Sequence, residues 1–108
     1  THITTLGADQ PGEAEVDGEL IKRALFVCDD RDLALSMGAI GGASLDVDHI
    51  HAELGEVLSE RHVGRESDEQ VSIYGAVGVP FQDLVIAWHV YQNAEQYNGK
   101  FEKFDFTA

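Results

Sequence analysis

Positive charge is scarce in this sequence. Lysine and arginine together number 7 among 108 residues, against 20 aspartates and glutamates, which gives a formal net charge of −13. A phosphate backbone binds clustered basic side chains, so this balance argues against nucleic acid as a partner. It argues equally against an anionic membrane surface, and no stretch approaches the roughly 18 consecutive apolar residues of a membrane span. We therefore expect a chain that binds neither nucleic acid nor membrane.

Cysteine is also scarce, since Cys28 is the single one. One cysteine cannot form an internal disulfide, whereas small secreted domains carry several. Cys28 lies in the apolar run 25–28, and the aspartates that follow it, Asp29 and Asp30, would raise the pKa of its thiol. We expect a buried, unreactive thiol. The first five residues also show neither the basic nor the apolar run of a signal peptide, which favours a reduced, cytoplasmic setting.

The rest of the composition is typical of a folded domain, with 44% hydrophobic and 25% charged residues. Short apolar runs alternate with segments that begin at a capping residue. Strand, helix, strand and helix in short order are typical of parallel α/β units. The predicted strands cover residues 2–6, 25–28 and 70–74, and the predicted helices cover residues 18–24, 31–37, 52–61 and 81–97.

The last predicted helix, residues 81–97, follows a proline that suits a first helical turn. Apolar residues leave few polar positions around its circumference, whereas a surface helix shows a narrower apolar stripe. We expect this helix to be buried on most sides, by its own domain, by another domain or by a second subunit.

Two clusters in the middle of the chain are interpreted as structural. The glycine-rich run 38–43 follows a helix and does not fit the dinucleotide pattern, so it is interpreted as a flexible turn. Residues 44–48 are compatible with a strand or a loop. An acidic and histidine-rich cluster has histidines two residues apart in a segment that leads into a helix, where they would not share a face. We interpret it as a polar loop with no metal; its members are Asp46, Asp48, His49, His51 and Glu53.

Two glycine turns follow predicted strands and are better candidates for a ligand site. Gly7 and Asp9 follow the first strand, and open α/β sheets place their ligands at the carboxyl ends of parallel strands. Asp9 is either a catalytic carboxylate or a turn cap. The run 75–78 has two glycines around small residues, which is compatible with a backbone that touches a ligand or with a plain turn.

Several segments, taken together and in this order, resemble the ornithine cyclodeaminase/mu-crystallin family. The resemblance runs from residue 1 to about residue 96 and is colinear with the C-terminal third of the family. Each segment is weakly specific alone, and their shared order makes the match strong. The segments are 1–12, 15–17, 27–30, 52–57, 64–68 and 77–84.

This resemblance implies an NAD(P)-dependent enzyme of amino or imino acids, such as a cyclodeaminase, an alanine dehydrogenase or a ketimine reductase. The implied fold is α/β: the second half of a Rossmann-like parallel sheet with flanking helices, plus a long C-terminal helix. Residues 1–79 would be the C-terminal half of the NAD(P)-binding domain. Residues 80–108 would pack on a dimerisation and substrate domain. The implied substrate is a small amino or imino acid. The implied protein partner is either a second subunit of a homodimer or the N-terminal portion that family members have.

The resemblance also assigns site residues. Asp9 falls on the active-site aspartate of the family, which is proposed to handle protons. Gly7 and Ala76 fall at the cofactor, and Val77 falls at the substrate or cofactor wall. Glu13 stands where the family has a lysine that contacts the cofactor, so the charge there is reversed.

The sequence also differs from the family pattern in that several parts of the family site lie upstream of residue 1. Those parts are the G-x-G-x-x motif, the acidic residue that binds the ribose and the basic residues that hold the substrate carboxylate. Ala76 also replaces a serine and loses its hydroxyl. We therefore expect the C-terminal part of an enzyme that transfers a hydride at Cα, inactive and weak in NAD(H) binding as this chain alone. The alternative is a non-catalytic dimerising or partner-binding module derived from the family.

Overall fold

A four-stranded parallel sheet organises the first 78 residues. The structure is a computed structural model that describes residues 1–8, 10–97, 102 and 104–107. It divides into two units, Thr1–Gly78 and Val79–Ala108. The strands are β1 (His2–Thr5), β2 (Leu25–Cys28), β3 (Ala52–Glu53) and β4 (Ser72–Gly75), in the spatial order β1-β4-β2-β3.

The described residues form five α-helices in addition to these strands. Asp17 accepts a hydrogen bond from Glu19 N at 2.8 Å and begins α1, and Asp30 accepts one from Leu33 N at 2.9 Å and begins α2. The backbone of Gly38 has a φ of +73°, which separates α2 from the next helix. The helices are α1 (Gly18–Ile21), α2 (Arg31–Ser36), α3 (Gly38–Gly42), α4 (Leu54–Leu58) and α5 (Pro80–Ala94), and single 3-10 turns cover Val47–His49 and Glu95–Tyr97.

The core lies on one face of the sheet. Ile3, Ile73 and Phe26 stand in register across β1, β4 and β2 and point to the same face. Helices α1 to α3 cover that face with buried apolar side chains. The buried cluster consists of Ile21, Phe26, Cys28, Ala34, Ala39, Ile40, Ile50 and Ile73.

Two of the sequence predictions are wrong in this region. Residues 52–61 do not form one helix, because Ala52 and Glu53 pair with Val27 and Cys28 as strand β3 before α4 begins. The run 38–43 is not a flexible turn, because Gly38–Gly42 forms α3. A methyl group at Gly42 would overlap the carbonyl oxygen of Glu13. Glycine is therefore needed where α3 packs against the backbone of residues 13–14.

Helix α5 begins one residue earlier than predicted and ends in a 3-10 turn at Tyr97. Its large apolar side chains are exposed, from 52% at Val85 to 68% at Leu84. Trp88 and Tyr91 stack on each other with ring centroids 5.6 Å apart. Among the described residues of this chain, therefore, nothing buries the helix on most sides. None of the helices described is both long enough and apolar enough to cross a bilayer.

Close packing of the central strands predicts the effect of one substitution. A methyl group at Gly75 in β4 would overlap the Phe26 ring, which is 1% exposed. We expect Gly75→Ala to destabilise the chain by about 1–3 kcal/mol, the usual cost of overpacking a core. Chemical denaturation followed by far-UV circular dichroism measures this change.

The matched control is Gly55→Ala in α4, where a methyl group would meet nothing within 4 Å. It should be neutral or stabilise the chain by up to about 1 kcal/mol, because alanine favours a helix over glycine. Equal destabilisation by both substitutions would contradict the packing described for Gly75.

Candidate functional site

The loops that follow β1, β2 and β4 meet at the carboxyl edge of the sheet. They meet because these three strands are parallel neighbours, with β4 between the other two. The loop residues are 6–8 after β1, 29–30 after β2 and 76–78 after β4. We call this set the carboxyl-edge site.

Gly7 makes the contact between the first and last of these loops. Its φ is +95°, and a Cβ there would lie 2.5 Å from the Ala76 carbonyl oxygen and 3.1 Å from the Val77 Cα. Only glycine permits both the positive φ and this approach. The Gly7 N–H donates to the Glu15 carboxylate at 2.8 Å. The turn after β1 is thus fixed by backbone packing and by one charge-assisted hydrogen bond.

Asp29 joins the loops after β2 and β4. Its Oδ2 accepts hydrogen bonds from Val77 N at 3.0 Å and from Gly78 N at 2.7 Å. Its Oδ1 accepts one from Asp30 N at 3.0 Å. From the sequence, Asp29 is predicted to raise the pKa of the Cys28 thiol and lies in the segment 27–30 that resembles the family, without a role in the site. Its place directly after a buried strand is the signal that could have identified it.

Val77 and Gly78 complete this edge. A Cβ at Gly38 would lie 2.9 Å from the Val77 Cγ2, so Val77 packs against the start of α3. The Gly38 N–H also donates to the Ala8 carbonyl at 3.1 Å. Gly78 has a φ of +98° and open space where a Cβ would be. Of the predicted site residues, Gly7, Ala76 and Val77 therefore lie together.

Two predicted site residues remain, Asp9 and Glu13. Asp9 lies outside the described residues. Glu13 is exposed, and its N–H donates to the Gln10 carbonyl at 3.3 Å. Around the contact between Gly7 and Ala76, the carboxyl-edge site thus presents backbone and uncharged side chains, with the Glu15 carboxylate bound to the Gly7 N–H.

Thr5 adds an unsatisfied polar atom at the end of β1. It is 5% exposed, and its Oγ1 has no hydrogen-bond partner among the described residues. A buried hydroxyl without a partner costs free energy, so such groups usually meet a ligand, a water molecule or another segment. Its position two residues before Gly7 adds a polar group to this end of β1.

A charged network holds the neighbouring end of β3. Arg31 Nη2 donates to Glu56 Oε2 at 2.7 Å, and Glu53 N donates to the same oxygen at 2.9 Å. The Arg31 hydrogen bond, together with that backbone N–H, lowers the pKa of Glu56 to about 2. The network ties α2 to β3 and α4 without reaching the loops after β1 and β4.

Neither the thiol nor the histidine cluster forms a reactive centre in the structure. Burial raises the pKa of Cys28 to about 12, with Glu53 adding to the effect. The histidines bond locally: His49 Nδ1 lies 2.8 Å from Asp46 Oδ1, and His51 Nε2 lies 2.8 Å from the Val63 carbonyl oxygen. Within the described ranges, no three side chains of histidine, cysteine, aspartate or glutamate are grouped to hold a metal ion.

A parallel sheet with flanking helices and glycine turns at its carboxyl edge is typical of open α/β domains, which bind their ligands at that edge. Comparison with known proteins gives the family. The profile of the ornithine cyclodeaminase/mu-crystallin family matches residues 1–98, and the chain belongs to this family. The resemblance stated from the sequence is thereby confirmed.

The similar proteins described next carry the names of enzymes. Alanine dehydrogenase of Archaeoglobus fulgidus is 41% identical over 98 residues, which cover 87% of this chain and 30% of that protein. An archaeal alanine dehydrogenase dimer with bound NAD matches with a TM-score of 0.85 and 40% identity, over 98% of this chain and 34% of its own. Iminosuccinate reductase of Paracoccus denitrificans in complex with NAD+ matches with a TM-score of 0.78 and 33% identity, over 89% and 30%.

These matches confirm the α/β fold and the relationship to NAD-binding dehydrogenases and reductases. They also show that the chain spans about a third of the length of the relatives that it matches.

The contact between Gly7 and Ala76 predicts a difference between two glycine substitutions. Gly7 and Gly12 both have positive φ, but a Cβ at Gly12 would meet nothing within 4 Å. Both alanine variants should lose about 1–2 kcal/mol through backbone strain. The free energy of unfolding of Gly7→Ala should be lower by about a further 1–3 kcal/mol, because its methyl group also meets the Ala76 carbonyl. Equal losses in chemical denaturation would contradict this contact.

The pKa of Glu56 predicts an acid-dependent part of stability. Its folded value of about 2 is below the usual 4.5, so its contribution is complete above about pH 4.5 and is lost as the pH falls from there through 2. Glu56→Gln should lower stability at pH 7, and its difference from the parent should shrink from pH 4.5 downwards and vanish only below pH 2. The control is Glu69→Gln, at an exposed loop position. Denaturant midpoints across this pH range measure both, and a pH-independent difference would contradict the assignment.

Proposed function

We propose that this chain contributes one wall of the active site of an NAD(P)-dependent oxidoreductase that transfers a hydride at the Cα of an amino or imino acid. The main observation in support is that the loops after β1 and β4 are in contact, with Gly7 packed against the backbone of Ala76 and Val77. Family membership supplies the reaction class, since the named relatives are dehydrogenases and reductases.

The carboxyl-edge site fits the uncharged end of a dinucleotide better than its phosphates. Gly78 has open space where a Cβ would be, which leaves room for a flat ring, and the buried Thr5 hydroxyl lies at the end of β1. Glu13 and Glu15 place carboxylates in the segment that follows Gly7, which disfavours phosphate groups there. When bound, NAD(P) accepts or supplies the hydride. Residues outside this chain would hold the phosphates.

The chain's own residues take three roles in this proposal. Asp9 moves a proton to or from the substrate nitrogen or its attacking water as general acid and base. Val77 forms a wall against the substrate, and Ala76 lies beside the cofactor without the hydroxyl common in the family. Glu13, in place of a lysine, lowers affinity for the cofactor. Because residues outside this chain would hold the phosphates and the substrate carboxylate, we expect no turnover and weak NAD(H) binding from the chain alone.

The proposed domain arrangement assigns residues 1–79 to the C-terminal half of the NAD(P)-binding domain. Residues 80–108 would pack on a dimerisation and substrate domain supplied by the rest of the protein or by a homodimer mate. The exposed apolar side chains of α5 support this assignment, since large exposed apolar patches mark contact surfaces. The single, buried Cys28 suits a reduced cytoplasmic setting.

A hybrid enzyme tests the proposed function. In alanine dehydrogenase of Archaeoglobus fulgidus, the matching C-terminal segment is replaced by this chain. We expect the hybrid to reduce NAD+ with L-alanine, which NADH absorbance follows. Asp9→Asn in the hybrid should lower kcat by about 10²–10⁴, the usual contribution of a general acid or base.

The control for that substitution is Asp48→Asn, at an exposed position in the 3-10 turn after α3. It should keep the hybrid's kcat within about twofold, since surface changes rarely matter. A folded hybrid without activity, or one in which Asp9→Asn and Asp48→Asn behave alike, would refute the proposed role.

The second candidate is a non-catalytic dimerising or partner-binding module. The exposed face of α5 favours it, as does the acidic Glu13. Light scattering on the purified 108-residue chain separates the two candidates. A stable, monodisperse dimer together with an inactive hybrid supports the module, and an active hybrid supports the enzyme.

A further inference from the structure

Asp29 controls the conformation of the loop after β4. Successive backbone N–H groups of Val77 and Gly78 both point to its Oδ2, at 3.0 and 2.7 Å. Two adjacent N–H groups that converge in this way form a small anion-binding concavity. Here the occupant of that concavity is a carboxylate of the chain itself, held in turn by the bond from Asp30 N to its Oδ1.

The carboxylate acts on a loop that has little other support at its end. Gly78 has a φ of +98° and nothing within 4 Å of a Cβ position, so its conformation is not set by packing. Val77 packs on one side against Gly38, and its backbone lies against Gly7. The two hydrogen bonds to Asp29 therefore complete the positioning of the Val77 backbone.

Both oxygens of Asp29 are engaged by backbone donors, three in total. A carboxylate used in this way holds its neighbours in place and does not reach a substrate. It also occupies the N–H groups that could otherwise bind a phosphate, which agrees with a loop that faces the uncharged part of a ligand.

We propose that Asp29 is a positioning residue for hydride transfer: it holds Val77 at the wall against which cofactor and substrate meet. This inference rests on the proposed function. A displacement of the wall by about 1 Å can lower a rate by about 10²-fold, because hydride transfer needs the reacting atoms in close contact. Asp29 therefore affects kcat through Val77, without touching the substrate.

The first test uses the 108-residue chain itself. Replacing Asp29 by asparagine puts an amide N–H₂ group or a weaker acceptor against the two backbone donors. In amide hydrogen exchange followed by NMR, Asp29→Asn should speed exchange at Val77 and Gly78 by about tenfold or more, while core amides such as that of Ile73 change little. Asp48→Asn is the control and should leave both amides unchanged. Unchanged exchange at Val77 and Gly78 in Asp29→Asn overturns the proposal.

The second test uses the hybrid enzyme. Asp29→Asn should lower kcat at least tenfold with a smaller change in KM for the amino acid, and Val77→Ala should do the same. The double variant should be no slower than the worse single variant, because the two residues act as one unit. Asp29→Glu keeps the charge one methylene further out and should give an intermediate kcat, which provides a measurement if Asp29→Asn does not fold.

The outcomes separate this inference from the function on which it rests. An active hybrid in which the effects of Asp29→Asn and Val77→Ala multiply overturns the positioning role alone. A folded but inactive parent hybrid overturns the proposed function and the positioning role with it. A loss of thermal stability in Asp29→Asn with kcat per folded molecule unchanged assigns Asp29 a purely structural part and also overturns the inference.

Discussion

The position of β4 in the sheet is the constraint on which the rest of this structure depends. It is the last of the described strands in sequence, yet it lies between β1 and β2 and pairs with both in parallel. Gly75 at its end has no side chain, which leaves room for the Phe26 ring in the core. Because β4 is inserted there, the residues that follow it arrive between Gly7 and Asp29. Without this pairing, the three loops would not meet.

Carboxylates of the chain accept the backbone hydrogen bonds at this edge of the sheet. Asp29 and Glu15 satisfy backbone N–H groups that a phosphate could have used, and a chain with a net charge of −13 has few cations to offer one. The exposed residues of the carboxyl-edge site, Leu6 and Gly78, carry no charge. In the proposed function, this surface faces a nicotinamide ring and an amino acid side chain, and basic residues outside the chain hold the phosphates.

The sequence predicts the main strands because their signals are local. Residues 25–28 form a compact apolar run, and Asp17 and Asp30 are capping residues next to helical segments, so β2, α1 and α2 could be identified. Strand β3 could not, since two residues carry no periodicity and Ala52 becomes a strand only by pairing with Val27. The helix at Gly38–Gly42 was missed because glycine has the weakest helix propensity of the residues other than proline, and packing against Glu13 overrides it. Within the site, the glycine turns and the family resemblance both indicate Gly7 and the run 75–78, whereas the hydrogen bonds that Asp29 accepts from Val77 and Gly78 are visible only in the structure.

The central claim is that the edge formed by Gly7, Ala76 and Val77 faces the nicotinamide and the substrate. A crystal structure of the hybrid enzyme with NAD+ tests it most directly. The account predicts that the nicotinamide ring lies in van der Waals contact with Val77 and Ala76 and that the pyrophosphate lies on residues outside this chain. A dinucleotide bound with its phosphates on residues 76–78, or bound away from the carboxyl ends of β1 and β4, would contradict it.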